Sequence, residues 1–518
     1  MRAPNELTAK FANELVAIRN IQEVEKKQNE AVEKLHISTT GAILTGFYES
    51  LRKAGENTEE NLLLTRAIRR FFKRLFLTQT NAGLKNSGDE LITELTLAGY
   101  LKNDTIPLKT IAEIDQIINH YAVAYHKLYA KFSGEVANRW TLETLAVSVE
   151  SKLVDHRIVT SFIDFAYNYF LKNIDREALF SGNPPASYEA MLFVAVQKII
   201  LKYDNPTIRT NLISRYQVSP SHTVNFAKLN AQIDQILDDP ALNKISHTID
   251  RNAAPFRIFL KILGTDNLAK YLESEKALLS IFTPTINKTY LAIRKDVSRG
   301  IVRSAILLLI PKLFLVAYDI HADMTRGGAI NWLPLMVQLC PVIYMFALRL
   351  TLFMPGANNS RALTRQITQI LFDPIPKQPS IGRGRGRKFG VIYTVIYGMI
   401  IIAAFFGIGF VLWEFVGFYW LRILTFFIYI SMASFLGFRL SRKIRDVEVG
   451  NETQNSLTAL RDLIYMPFVV VGRSINKVYA QFNIVSTLLD MLVELPLKTI
   501  LRLIRRWSSF LSDMKDSF

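Results

Sequence analysis

Residues 391–413, VIYTVIYGMIIIAAFFGIGFVLW, run from end to end without a charged side chain. About 20 helical residues cross the ~30 Å of bilayer hydrocarbon. A helix apolar on every face belongs in lipid or deep in a large core, not at a water-exposed surface. This run therefore restricts the chain to folds with a lipid-facing part, unless a very large core encloses it. Three further apolar runs after residue 300 join it. Spans are expected near 301–320, 331–353, 390–413 and 418–438, paired as two hairpins, with a tight turn near Glu414 and Gly417 closing the second. Pro311 and Lys312 stand at the middle of the first run, so a re-entrant or interfacial helix is the alternative there.

The connections carry a second, independent signal. Lys288, Arg294, Lys295 and Arg299 precede the first run, whereas Asp319, Asp323 and a single Arg326 separate it from the second. Between the second and third come Arg361, Arg365, Lys377, Arg383, Arg385, Arg387 and Lys388 against Asp373; Arg439, Arg442, Lys443 and Arg445 follow the fourth. Basic and non-basic connections alternate, as the positive-inside rule requires for two hairpins with both termini in the cytoplasm. Residues 355–389 are thus expected as a basic cytosolic loop. The GRGRGRKFG that ends it reads as a topogenic signal whose Arg383, Arg385, Arg387 and Lys388 meet anionic lipid headgroups. It has no interleaved aromatic residues on which bases would stack, which disfavours nucleic acid as a partner. The charge balance agrees. Lys and Arg number 34 against 32 acids in residues 1–280, but 28 against 13 in 281–518, so the net +17 belongs to the apolar half.

Residues 1–290 read as a cytosolic all-α domain of roughly ten helices. Ile111, Ile114, Ile117, Ile118, Tyr121, His126 and Leu128 roughly follow helical spacing after Pro107, and Leu192, Val194, Val196, Ile199, Ile200 and Tyr203 mix that spacing with a continuous apolar run. Ser87-Gly-Asp-Glu90 has the form of a capping box. The N-terminal MRAPNELTAKFANELV lacks an apolar signal-peptide core, because Glu6, Lys10 and Glu14 interrupt it, so this part is expected to stay where it is made. One cysteine, Cys340, excludes an internal disulfide and a Cys-based zinc site, and its apolar surroundings predict a packed thiol.

After the 291–440 membrane region, residues 441–518 are expected as amphipathic helices at the membrane surface. On a helical wheel Lys498, Arg502, Arg505 and Arg506 share one arc, opposite Leu497, Ile500, Leu501, Ile504, Trp507 and Phe510. Such a basic face meets anionic headgroups. The preceding stretch carries Ile475, Val478, Tyr479, Phe482, Val485 and Leu488 at spacings of three and four. Ordinary helix-on-helix packing explains that stripe as well as membrane contact does.

Ionisable residues inside spans are functional candidates by default, since burying them is costly. Lys312, Glu414, Arg349 and Arg422 are the four here. The last three stand near span ends and can snorkel; Lys312 is deep, with Glu414 or Asp319 as its expected partner, or else it lines a polar path. Ala403 and Gly407, and Ala433 and Gly437, are each four apart and predict a close seam between the third and fourth spans. No phosphate loop, nucleophile elbow or metal-ligand spacing accompanies them, so no cofactor, metal or catalytic residue is assigned and an enzyme is disfavoured.

Two segments, AYDIHADMTRGGAINWLPLMVQLCPVIYM (317–345) and PFVVVGRSINKVYAQFNIVSTLLDMLVELPLKTILRLIRRW (467–507), resemble uncharacterised multi-span membrane proteins of candidate-phyla bacteria. The resemblance covers about the C-terminal 200 residues and implies a bacterial inner-membrane location, with no activity attached. The reading is a non-catalytic scaffold or envelope-organising component, with a protein partner for residues 1–280 and self-association as a further partner. An oligomeric transporter or channel using Lys312 is the alternative, and a membrane-bound enzyme on lipid or envelope precursors ranks last.

Overall fold

The computed structural model describes residues 2–30, 32–37, 62–78, 87–325, 331–352, 354–374, 381, 391–449 and 465–476. These contain helices and no strand. GRGRGRKFG and residues 477–518 lie outside the described residues, and with them Arg383, Arg385, Arg387, Lys388, Lys498, Arg502, Arg505 and Arg506.

The first body opens with α1 (Glu6–Glu30), α2 (Leu63–Thr78), α3 (Ser87–Leu97), α4 (Leu108–Tyr129), α5 (Gly134–Trp140), α6 (Leu142–Leu153) and α7 (Arg157–Asn173). It continues through α8 (Arg176–Phe180), α9 (Tyr188–Val196), α10 (Asn205–Arg215), α11 (Thr223–Asp238), α12 (Pro240–Asp250), α13 (Ala254–Leu260) and α14 (Leu268–Leu272). Among the described residues fourteen helices stand where about ten are expected, because several are only one or two turns long and leave no periodic signature. In α4 most of the predicted face is the buried one: Ile111, Ile114, Ile118, Tyr121 and Leu128 face inward together with Tyr125, while Ile117 is half-buried and His126 is exposed. Helix α9 is buried from Met191 to Val196 on every side and passes into a π-helical turn, which accounts for its mixed pattern. At the centre Phe11 of α1 stacks on Phe165 of α7 at 5.1 Å, and Phe170 meets Phe256 of α13 at 5.2 Å.

Then comes a single 51-residue helix, α15 (Glu275–Thr325), about 75 Å long. The expected boundary at residue 290 falls inside it. Leu278, Phe282 and Ile286 belong to the core of the first body, while Val297, Ile301, Ala305 and Leu308 belong to a second core. The two sets stand eleven residues, about three turns, apart on the same helix. Helix α16 (Trp332–Leu348) returns alongside α15; α17 (Ala357–Phe372), α18 (Val391–Glu414) and α19 (Trp420–Arg445) follow, and residues 465–476 form α20.

Helices α15, α18 and α19 are each long and apolar enough to cross a membrane. The expected second span is shorter: α16 has 17 residues, about 25 Å, before Arg349 tightens the chain into a 3-10 turn. Pro334 sits in its first turn, where a missing N–H matters little, and Pro341 lies inside it. Large apolar side chains face outward around this group, among them Phe314, Phe406, Phe410 and Trp420, each more than three-fifths exposed. An apolar surface on this scale needs a non-aqueous cover. Cys340 is on the outside too, not packed as expected.

Residues 355–389 contain more than a basic loop. Leu363, Ile367, Ile370 and Leu371 put one buried stripe on α17, with Arg361 and Arg365 on its exposed side, and that stripe completes the core of the first body. The chain start clasps the end of α17. Asn5 donates its backbone N–H to Leu371 O at 2.9 Å, and Arg2 pairs with Asp373 at 2.8 Å. Below α19, Asp446 takes Lys202 and Arg257 of the body as partners. Asn359 of α17 donates to Tyr290 Oη at 2.6 Å and to Val447 O at 2.8 Å, and accepts from Val449 N–H at 2.8 Å. The apolar helices are therefore joined to the body by one continuous helix and by a polar knot at its side.

Candidate functional site: a polar cluster between the apolar helices

Glycine brings the apolar helices close. A Cβ on Gly437 of α19 would come within 2.5 Å of Leu348 Cδ1 of α16, and one on Gly300 of α15 within 2.5 Å of Leu440 Cδ2. Helices α15, α16 and α19 thus pack around Val342, Met345 and Ala433, with Lys312 and Asp319 further along the same stripe of α15. Continuing Val297, Ile301, Ala305 and Leu308 by four and then by four and three lands on Lys312, Val316 and Asp319. The helix period carries two ionisable groups into the interface.

Asp319 is the hub, its side chain 6% exposed. It pairs with Arg422 Nη2 of α19 at 3.1 Å and accepts from Gln338 Nε2 of α16 at 2.6 Å; Tyr419 Oη reaches it at 3.4 Å. The Arg422 guanidinium also lies 4.8 Å from the Tyr419 ring centre. All these residues stand within two turns of the helix ends remote from the first body. Lys312 lies two turns deeper, about 10 Å of rise, and is 1% exposed. Its Nζ has no hydrogen-bond acceptor and sits 4.6 Å from the centre of the Tyr429 ring, so ring quadrupole attraction is the local stabilisation it receives. Ser431 Oγ is likewise buried without a partner, while Ser434 Oγ donates to Tyr344 Oη at 3.2 Å. Counting formal charges, two cations face one carboxylate.

Of the four intramembrane candidates, the fold brings Lys312 and Arg422 to this cluster and leaves the other two apart. Glu414 is exposed at the end of α18, so Asp319, not Glu414, is the carboxylate on the Lys312 side. Arg422 is half-buried and held in an ion pair with Asp319. Arg349 is exposed at the opposite end of α16, where it lines a different cavity. The expected seam does not form as drawn. Ala403 and Gly407 are exposed, and a Cβ on Gly407 would meet nothing within 4 Å; Ala433 and Gly437 pack on α16. Helix α18 meets α19 through aromatic side chains, with Phe405 4.9 Å from Phe427, and meets α20 through Phe468 at 5.0 Å. Those bulky rings set a wider spacing than glycine does. Gln338 and Tyr419 carry no signal in the sequence that marks them as site residues; Asp319 is expected there as a partner of Lys312, but its role as the hub shared with Arg422, Gln338 and Tyr419 comes only from the packing of α15, α16 and α19. Comparisons with family models, curated proteins and solved structures give no match.

Proposed function

We propose that the protein is a multi-pass membrane scaffold without catalysis. A cytosolic helical body is held against the bilayer by two hairpins, with both termini on the cytoplasmic side. The observation that carries this is α15: one helix contributes Leu278, Phe282 and Ile286 to the body and Val297, Ile301 and Ala305 to the apolar bundle. A helix continuous through both cores transmits position and orientation and leaves no hinge between them. The Asp446 and Asn359 contacts brace the same joint. The polar cluster then acts as a clip between the hairpins, since Asp319 and Gln338 come from one and Tyr419 and Arg422 from the other. The alternating basic connections supply the orientation.

The test is topological. In a Cys340→Ser background, a membrane-impermeant maleimide added to intact cells is expected to label Glu414→Cys and to spare Arg385→Cys until the cells are opened. Labelling in the reverse order would overturn the arrangement. A second reading, an oligomeric transporter or channel, is favoured by one observation: a buried ammonium at Lys312 with no acceptor. Solute flux in proteoliposomes that disappears in Lys312→Met, with folding intact, would replace the scaffold by that reading.

A further inference from the structure

Where α15 leaves the body, a cavity of about 630 Å³ opens between α15, the turn after α16 and the end of α19. Its charged lining is Arg294, Lys295, Arg299 and Arg349, with no carboxylate among the lining residues. Its apolar lining includes Val297, Ile301 and Ile444, which are buried in the core of the bundle, and Leu352, which packs against it. Asp296, beside the cavity in sequence, takes Arg299 at 2.9 Å, while Arg294, Lys295 and Arg349 have no ion-pair partner among the described residues. One wall is thus cationic and another apolar, and two turns beyond Lys295 and Arg299 on the same side of α15 Val302 and Ile306 are about half exposed, so outward apolar surface adjoins the cations.

We propose that this cavity is a binding site for the phosphate headgroup of an acidic phospholipid, with an acyl chain along α15. The inference rests on the membrane reading above and adds to it a particular ligand class and place. The chemistry selects the ligand. Three cations with no counter-ion among the described residues fit a multiply charged or closely held anion, and the adjoining apolar surface fits a hydrocarbon tail on the same molecule. Basic cavities between membrane helices on the cytoplasmic side meet such headgroups at that depth. Free phosphate shares the headgroup chemistry but gives no use for the apolar wall, and the lipid is therefore the assigned source.

The full chain is purified in detergent and placed in nanodiscs of phosphatidylcholine, or of phosphatidylcholine with phosphatidylglycerol. Lipid retention is read by native mass spectrometry after release, and thermal unfolding is followed in parallel, with inorganic phosphate as a separate arm. The expected result is retained phosphatidylglycerol and a raised Tm in the acidic discs. The triple variant Arg294→Gln, Lys295→Gln, Arg349→Gln should weaken that retention roughly a hundredfold, since each cation near an anionic lipid is worth about a fivefold change. The triple variant Lys127→Gln, Lys131→Gln, Lys228→Gln removes equal charge from exposed sites on the body and should leave retention unchanged. Equal retention by both triple variants would overturn the site. Stabilisation by inorganic phosphate that phosphatidylglycerol does not exceed would overturn the lipid as ligand. A chain that enters no disc and stays monodisperse without detergent would remove the membrane reading itself, an outcome distinct from insertion without lipid preference.

Discussion

Removing the three charges of the polar cluster one at a time should give an order of stabilities set by the count of buried cations and anions. At 3.1 Å and an effective dielectric constant of about 20, the Asp319–Arg422 attraction is about 5 kcal/mol, much of it offset by desolvating the two groups. Asp319→Asn removes the one carboxylate that the described residues place in the cluster and leaves Lys312, 1% exposed, and Arg422, 12% exposed at its side chain, without it. Its cost should lie near the upper end of the range for breaking a buried pair, about 5 kcal/mol. Arg422→Met leaves Asp319 with Gln338, Tyr419 and the Lys312 charge on the same stripe, so about 3 kcal/mol is expected. Lys312→Met keeps the length of the side chain and its contact with Tyr429 while deleting a cation that has no acceptor. It should leave stability unchanged or raise it by about 1 kcal/mol. Adding Lys312→Met to Asp319→Asn should recover part of the loss, a coupling that a double-mutant cycle isolates. Equilibrium unfolding in mixed micelles of rising SDS fraction, followed by circular dichroism, measures all of these. A loss of more than about 2 kcal/mol in Lys312→Met, or an Asp319→Asn variant more stable than Arg422→Met, would refute the charge count.

Two further expectations concern the body and its joint. Asn359→Leu strands the Val449 N–H and the Val447 carbonyl and deprives Tyr290 of a donor; thermal unfolding should show a loss of about 1–3 kcal/mol, with faster proteolysis around residues 447–449. His156 is raised above the ordinary histidine value of about 6.5 by its 2.8 Å hydrogen bond to the Glu150 carboxylate, and burial only partly opposes this. Its contribution to stability is therefore complete below about pH 6.5 and is lost as pH rises through the raised value. A Tm series from pH 6 to 9 should fall accordingly, and His156→Gln should flatten that part of the curve.

The sequence by itself determined the all-helical character and the long apolar helices, because helical period and hydropathy are local properties. A charge-free run such as 391–413 has the same transfer free energy whatever surrounds it. The buried face of α4 was legible for the same reason, and so was the oddity of Lys312 amid apolar residues. Tertiary structure decided which residues meet. Asp319 and Arg422 are about a hundred positions apart and come together because Gly300 and Gly437 let α19 approach α15 and α16, a crossing that no window of sequence contains. It likewise turned Ala403 and Gly407 outward while drawing Ala433 and Gly437 in, although the two pairs read alike along the chain. It also seated α17, taken from sequence as loop, in the core of the first body: amphipathic stripes announce that something will cover them, and only the packed chain says what.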